Sequence, residues 1–129
     1  MSKILYPAIF STEKDGIFVR FPDLDGCCTQ GTSIPDAYEM AEEALPLYII
    51  SLEDSKNNIP KPSDIKTFKL KDNEFASYIS GDTLKYRKRL DNRAVKKTLT
   101  IPKWMNDEGK KRNINFSQVL QDALSKKFL

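Results

Sequence analysis

The chain has 129 residues, 40% of them hydrophobic and 30% charged, with a net charge of +3. That length gives one domain or two small ones, the mean hydropathy of −0.51 is that of an ordinary globular chain, and no apolar run approaches the roughly 20 residues of a membrane span. Histidine is absent, which excludes Ser-His-Asp and Cys-His catalysis and every imidazole metal site.

The N-terminus, Met1-Ser2-Lys3-Ile4-Leu5-Tyr6-Pro7, lacks the apolar stretch and cleavage site of a signal peptide, so a cytoplasmic protein away from membranes is expected. Residues 3–10 alternate, with Ile4, Tyr6, Ala8 and Phe10 on one face of a strand. Residues 11–16 are a turn ending in Asp15-Gly16, a hairpin signal. Ile17-Phe18-Val19-Arg20-Phe21 is a second strand, rich in β-branched and aromatic residues. Pro22 stops it, and Asp23-Leu24-Asp25-Gly26 makes a turn before a short third strand over residues 27–31. Cys27 and Cys28 are neighbours on that strand, point to opposite faces, and make neither a staple nor a metal site.

Thr32 or Ser33 caps a helix with Pro35 in its first turn. Ala37, Ala41, Ala44, Leu45, Tyr48 and Leu52 form its apolar face. Glu39, Glu42, Glu43 and Glu53 lie mostly off that face. Pro46 removes one backbone hydrogen bond and predicts a kink. Asn57-Asn58 ends the helix, and Ile59-Pro60-Lys61-Pro62-Ser63 connects onward. Residues 65–70 alternate apolar and polar, and residues 75–79 are a further strand candidate. The first domain, residues 1–81, is therefore read as a β-β-β-α-β unit, a sheet with a helix packed on one face. Residues 82–94 are read as a basic, partly helical linker.

Residues 95–129 read as strand, helix, helix. Val95, Leu99 and Ile101 share one face of the strand, and Lys96, Thr98 and Thr100 the other. Pro102 ends it and opens a helix carrying Trp104, Met105 and Glu108, which Gly109 weakens or ends early. Asn115 with Gln118 has capping-box form. Phe116, Val119, Leu120, Ala123, Leu124 and Phe128 follow at helical spacing. Thirty-five residues without disulfide or metal do not fold alone, so a homodimer through this segment is expected, or a higher oligomer built on it. Pairing the lone strand with its copy makes an antiparallel ribbon. Such a ribbon fits the DNA major groove, with Lys96, Thr98 and Thr100 toward the bases. The free amides at Asn115, Phe116 and Ser117 suit a backbone phosphate.

Charge is split along the chain. Residues 1–64 hold 5 basic and 11 acidic residues, and residues 65–129 hold 16 basic and 7 acidic. A basic half suits nucleic acid, and an acidic half suits a basic protein. The acidic candidates for that protein contact are Asp23, Asp25, Glu39, Glu42 and Glu43. Asp23 and Asp25 are also a pair of the kind that holds catalytic metals, but Pro-Asp-Leu-Asp-Gly is what a turn requires. No catalytic residue, metal ligand or cofactor is assigned, and the chain is read as a non-enzyme.

The tail, Ala94-Val95-Lys96-Lys97-Thr98-Leu99-Thr100-Ile101-Pro102 through Asn115-Phe116-Ser117-Gln118-Val119-Leu120-Gln121-Asp122-Ala123-Leu124, resembles a ribbon-helix-helix domain. In the head, Tyr6-Pro7-Ala8-Ile9-Phe10, Asp15-Gly16, Phe18-Val19, Phe21-Pro22-Asp23-Leu24, Gly26-Cys27, Thr29-Gln30-Gly31 and residues 37–48 resemble the HicB antitoxin family. The resemblance implies an α+β fold: an N-terminal β-β-β-α-β domain of partial ribonuclease-H-like form and a C-terminal ribbon-helix-helix domain for dimerisation and DNA binding. It also implies a type II antitoxin. Such a protein would bind and inhibit HicA, a small basic toxin that cleaves mRNA through a histidine, and would repress its own operon by binding operator DNA. Carried over, the DNA-facing positions fall on Lys96, Thr98 and Thr100. The alternative is a stand-alone ribbon-helix-helix transcriptional repressor whose head senses a ligand.

Overall fold

The computed structural model describes residues 2–128, in two compact units, Met1–Arg93 and Ala94–Leu129.

In the first unit, β1 (Lys3–Glu13) and β2 (Gly16–Arg20) form an antiparallel hairpin that closes with Glu13 opposite Gly16. β1 runs further than its alternation predicts, because Ser11 and Thr12 keep pairing with Phe18 and Ile17. β3 (Cys28–Gly31) adds to β2, and the returning β4 (Glu74–Asp82) adds to the other side of β1, so the sheet order is β3-β2-β1-β4. One face of this sheet carries Tyr6, Ala8, Phe10, Val19 and Ile79. It packs on Ala37, Ala41, Leu45 and Ile49 of α1 (Ile34–Asp54). Phe10 stacks on Tyr38 and Phe75, with ring centroids 4.6 and 4.8 Å away.

Ser33 caps α1 by accepting from the Asp36 amide at 3.2 Å, and Asp36 accepts in return from the Thr32 amide at 2.8 Å. At the other end Lys56 takes a left-handed φ of 56°. Its amide and that of Asn57 close back on Glu53 and Leu52, a Schellman stop with lysine where glycine is usual. α1 runs unbroken through Pro46. The proline ring is enclosed and lies against Gly81 of β4, where an added Cβ would meet Pro46 Cδ at 3.2 Å. The helix also buries Ile49 and Ile50, whereas Ala44, Tyr48 and Leu52 are only half-buried. α2 (Thr83–Leu90) packs along α1, which widens the buried arc beyond the predicted stripe.

Two expectations are corrected in this region. Residues 65–70 form no strand. Ile65–Thr67 is a single 3-10 turn capped by Asp64, and the strand that returns beside β1 is β4. All of the expected linker except Ala94 belongs to the first unit, where α2 is held by Arg87, which donates to Glu53 and Asp54 at 2.9 Å each.

The opposite face of the sheet is also apolar. Pro7 and Ile9 are buried, while Leu5, Phe18 and Tyr78 are 40–50% exposed. Arg20 on β2 reaches across β1, where Ile9 pairs with both Arg20 and Ala76, and meets Glu74 on β4 at 2.7 Å. The Arg20 hydrogen bond, aided by the Lys71 amide, holds the Glu74 carboxyl below the ordinary glutamate range. A depressed carboxylate pKa adds stability that is complete above the ordinary glutamate value of about 4.5 and is lost as pH falls through the lower, folded value. Glu74→Gln removes this dependence. The urea midpoint of the unaltered protein should therefore fall more steeply below about pH 5 than that of the variant, and parallel curves would refute the assignment.

In the second unit, α3 (Lys103–Lys111) and α4 (Phe116–Phe128) join through a turn in which Asn113 has a φ of 54°. Gly109 does not end α3. It admits the Phe116 ring, whose Cζ would lie 2.4 Å from a Cβ at that position. The strand expected over residues 95–101 is absent. Residues 91–102 form no regular element, because a β-ladder needs a second strand and this unit holds none within one chain.

Candidate partner and nucleic-acid surfaces

The acidic candidates do not form one patch. Asp23 is half-buried, and its carboxylate accepts from the Ser63 amide at 3.0 Å and from the Ser63 hydroxyl. It therefore ties the β2–β3 turn to the connector that follows α1. Tyr6 strengthens the same tie by donating to the Pro60 carbonyl. Burial, with the Asp23 charge second, pushes the Tyr6 hydroxyl above its ordinary pKa. Asp25 is exposed, and its carbonyl accepts from the Tyr48 hydroxyl. The Asp23/Asp25 pair is thus a structural turn. Among the described residues, no cluster of three or more Cys, Asp or Glu side chains is placed to hold a metal.

α1 carries six carboxylates and no basic residue along Ile34–Asp54. Glu39 and Glu43 lie on its open face beside Met40 and Leu47, which are 38% and 37% exposed. An exposed helix face that mixes carboxylates with large apolar side chains suits a partner that is basic and partly apolar. Glu42 points elsewhere. It lines a cleft of about 420 Å³ with Lys3, Asp82, Lys85 and Tyr86.

Met40 and Leu47 were not singled out in the sequence, because the helical stripe assigns the core and not its far side. The apolar residues Leu5, Pro7 and Ile9 on the second sheet face were legible in the same alternation that marked Ile4, Tyr6, Ala8 and Phe10.

Lys96, Thr98 and Thr100 are all exposed, on the segment before α3. Asn115 caps α4 by accepting from the Gln118 amide at 3.0 Å. The reciprocal half of the capping box is not made, since the Gln118 side chain donates to Asp122. The amides of Phe116 and Ser117 donate to no partner among the described residues. The Phe116 ring packs at Gly109 and is still 42% exposed. Both cysteines are free: Cys28 is exposed, and burial pushes the Cys27 thiol up to about 11.

The sequence profile of the HicB-like antitoxins of bacterial toxin–antitoxin systems matches residues 6–123. The chain belongs to this family. A chain of a toxin–antitoxin complex from Streptococcus pneumoniae is 34% identical, with a TM-score of 0.62, and the match covers 97% of this chain and 99% of that one. An antitoxin HicB3 crystal structure is 26% identical over 98% of each chain, with a TM-score of 0.52. A chain of a HicA3 and HicB3 toxin–antitoxin complex is 28% identical, with a TM-score of 0.52, and the match covers 61% of this chain and 99% of that one. An uncharacterised 14.9 kDa protein of Haemophilus phage HP1 is 26% identical over 99 residues, which is 77% of this chain and 74% of the phage protein. This HicB-type antitoxin has no helix among its described residues that is long and apolar enough to cross a membrane.

Proposed function

We propose that this antitoxin binds and inhibits a small, basic, mRNA-cleaving HicA-like toxin through its first unit. We further propose that it represses its own operon through a dimer of residues 95–129. The toxin reading is supported by the HicA3 and HicB3 complex among the related structures and by the acidic, partly apolar face of α1. Its contact residues are Glu39 and Glu43, with Glu42 at one flank and Asp25 at the exposed turn, while Asp23 acts by holding that turn.

The observation that carries the dimer is burial. No residue described from Ala94 onward is buried, and Val95, Leu99, Ile101, Trp104, Val119 and Phe128 are 43–87% exposed. A segment this rich in large apolar side chains keeps them from water by pairing with a second copy. Two copies of residues 95–101 would then form the ribbon of a ribbon-helix-helix fold. Lys96, Thr98 and Thr100 would face the major groove, and the amides near Asn115, Phe116 and Ser117 a backbone phosphate.

Co-expression with the small reading frame beside the gene tests the toxin half. Rescued growth together with a co-purifying complex is the expected result. A harmless neighbour would favour a stand-alone repressor with a ligand-sensing head. For the DNA half, Thr98→Ala should relax operator preference by about 1–3 kcal/mol at the base it reads, with toxin binding unchanged. Unaltered selectivity across a panel of operator variants would remove Thr98 from base reading.

A further inference from the structure

α2 carries four basic residues and no acidic one within Thr83–Leu90. Arg87 is accounted for by Glu53 and Asp54, to which it is bonded. The other three, Lys85, Lys88 and Arg89, are exposed. Their i, i+3, i+4 spacing sets them on one ridge, turned away from Arg87 by the helical period. Arg89 lies with its guanidinium carbon 5.6 Å from the centroid of the Tyr86 ring. That contact leaves its N–H groups open to a further acceptor.

Like charges at this spacing destabilise a helix. The helix dipole accounts for Lys88 and Arg89 in the last turn, but it disfavours a cation at Lys85, in the first. Lys85 shares the rim of the cleft with Glu42 and Asp82, yet it forms no ion pair among the described residues. The ridge is therefore a concentration of uncompensated positive charge. It is followed along the chain by Arg93, Lys96 and Lys97.

We infer that Lys85, Lys88 and Arg89 form a second, sequence-independent contact to the phosphate backbone of duplex DNA. This inference rests on the reading that residues 95–129 bind operator DNA. Four residues separate α2 from Val95, and four residues span at most about 14 Å. A duplex presents a phosphate charge every ~1.7 Å of its axis, so the end of α2, on so short a tether, is within reach of phosphates flanking the bases that the ribbon reads. The contact adds affinity and salt dependence and carries no base preference.

The test is the salt dependence of DNA binding by the full-length protein carrying Lys85→Gln, Lys88→Gln and Arg89→Gln together. Arg87 is retained as the anchor of α2. Each phosphate contact contributes a slope of about 0.9 in log K against log salt. A dimer that loses one contact or more per copy should therefore show a slope shallower by about 2 or more. Its affinity should fall by the same factor on operator and on random duplex. A control triple, Lys61→Gln, Lys66→Gln and Lys69→Gln, removes equal charge from exposed positions elsewhere on the same unit and should leave the slope unchanged. An unaltered slope in the α2 variant, a loss confined to the operator, or an equal shift in the control overturns the inference while leaving the operator reading intact. Failure of the unaltered protein to bind any duplex overturns both.

Discussion

Removing residues 95–129 should leave a folded protein that still neutralises the toxin and no longer binds its operator specifically. Every member of the hydrophobic core, from Tyr6 through Ile49 to Ile79, lies before Arg93. The sheet order uses β1 to β4 only, and α2 is anchored to α1 by the Arg87 pairs with Glu53 and Asp54. The truncated chain thus keeps all the apolar burial that defines its fold, and at this size burial suffices for an independent domain. The deleted part contains Lys96, Thr98, Thr100 and the open amides of α4, so specific operator binding should drop to the weak level of a basic surface, a loss of 10³-fold or more. Melting followed by circular dichroism, growth in the presence of the toxin gene, and an operator shift assay read the three consequences separately. A truncated protein that melts without a cooperative transition, or one that no longer rescues growth, would refute this division of labour.

What could be read in the sequence follows the range of the interactions involved. The β1–β2 hairpin, the Ser33 cap and the Asn115 cap are set by residues within a few positions of each other, and all were legible. Alternation in residues 65–70 misled because alternation states only that a segment suits a sheet edge. It cannot state that β4, starting at Glu74, is the strand that takes the edge of β1. Pro46 reads as the loss of one helix hydrogen bond, and the sequence does not show that Gly81, 35 residues away, leaves room for its ring. Asp23 reads as a free carboxylate until Ser63 is known to occupy it. The strand over residues 95–101 fails to form for a different reason: its alternation describes a pairing that one chain cannot supply. The candidate DNA residues were accordingly assigned from the faces of a strand that one chain does not form, whereas the acidic ones were assigned only from a sum of charge. Charge counts do not reveal which carboxylates are already engaged.

Gly31→Ala should be among the most damaging single substitutions in the first unit. Gly31 ends β3 opposite Ile17 and is buried. An added Cβ would lie 2.4 Å from the Ala37 amide nitrogen, 2.6 Å from its Cα and 2.9 Å from the Asp36 carbonyl carbon. All three atoms are backbone of the first turn of α1, so no side-chain rotation relieves the clash, and either β3 or the start of α1 must move. Overpacking a well-filled site costs about 1–3 kcal/mol, and a backbone obstacle places this case at the upper end. For a unit of this size that corresponds to a Tm lower by roughly 10–20 °C. Gly26→Ala is the informative comparison. Gly26 has a φ of 79° but nothing within 4 Å of an added Cβ, so it incurs only the left-handed backbone penalty of about 1–2 kcal/mol. Because Gly31 sets how closely the first turn of α1 approaches the sheet, its substitution also displaces the helix that carries Glu39 and Glu43. Toxin capture should therefore weaken in Gly31→Ala even below its melting temperature. Equal stability of the two variants would show that α1 does not depend on close approach at Gly31.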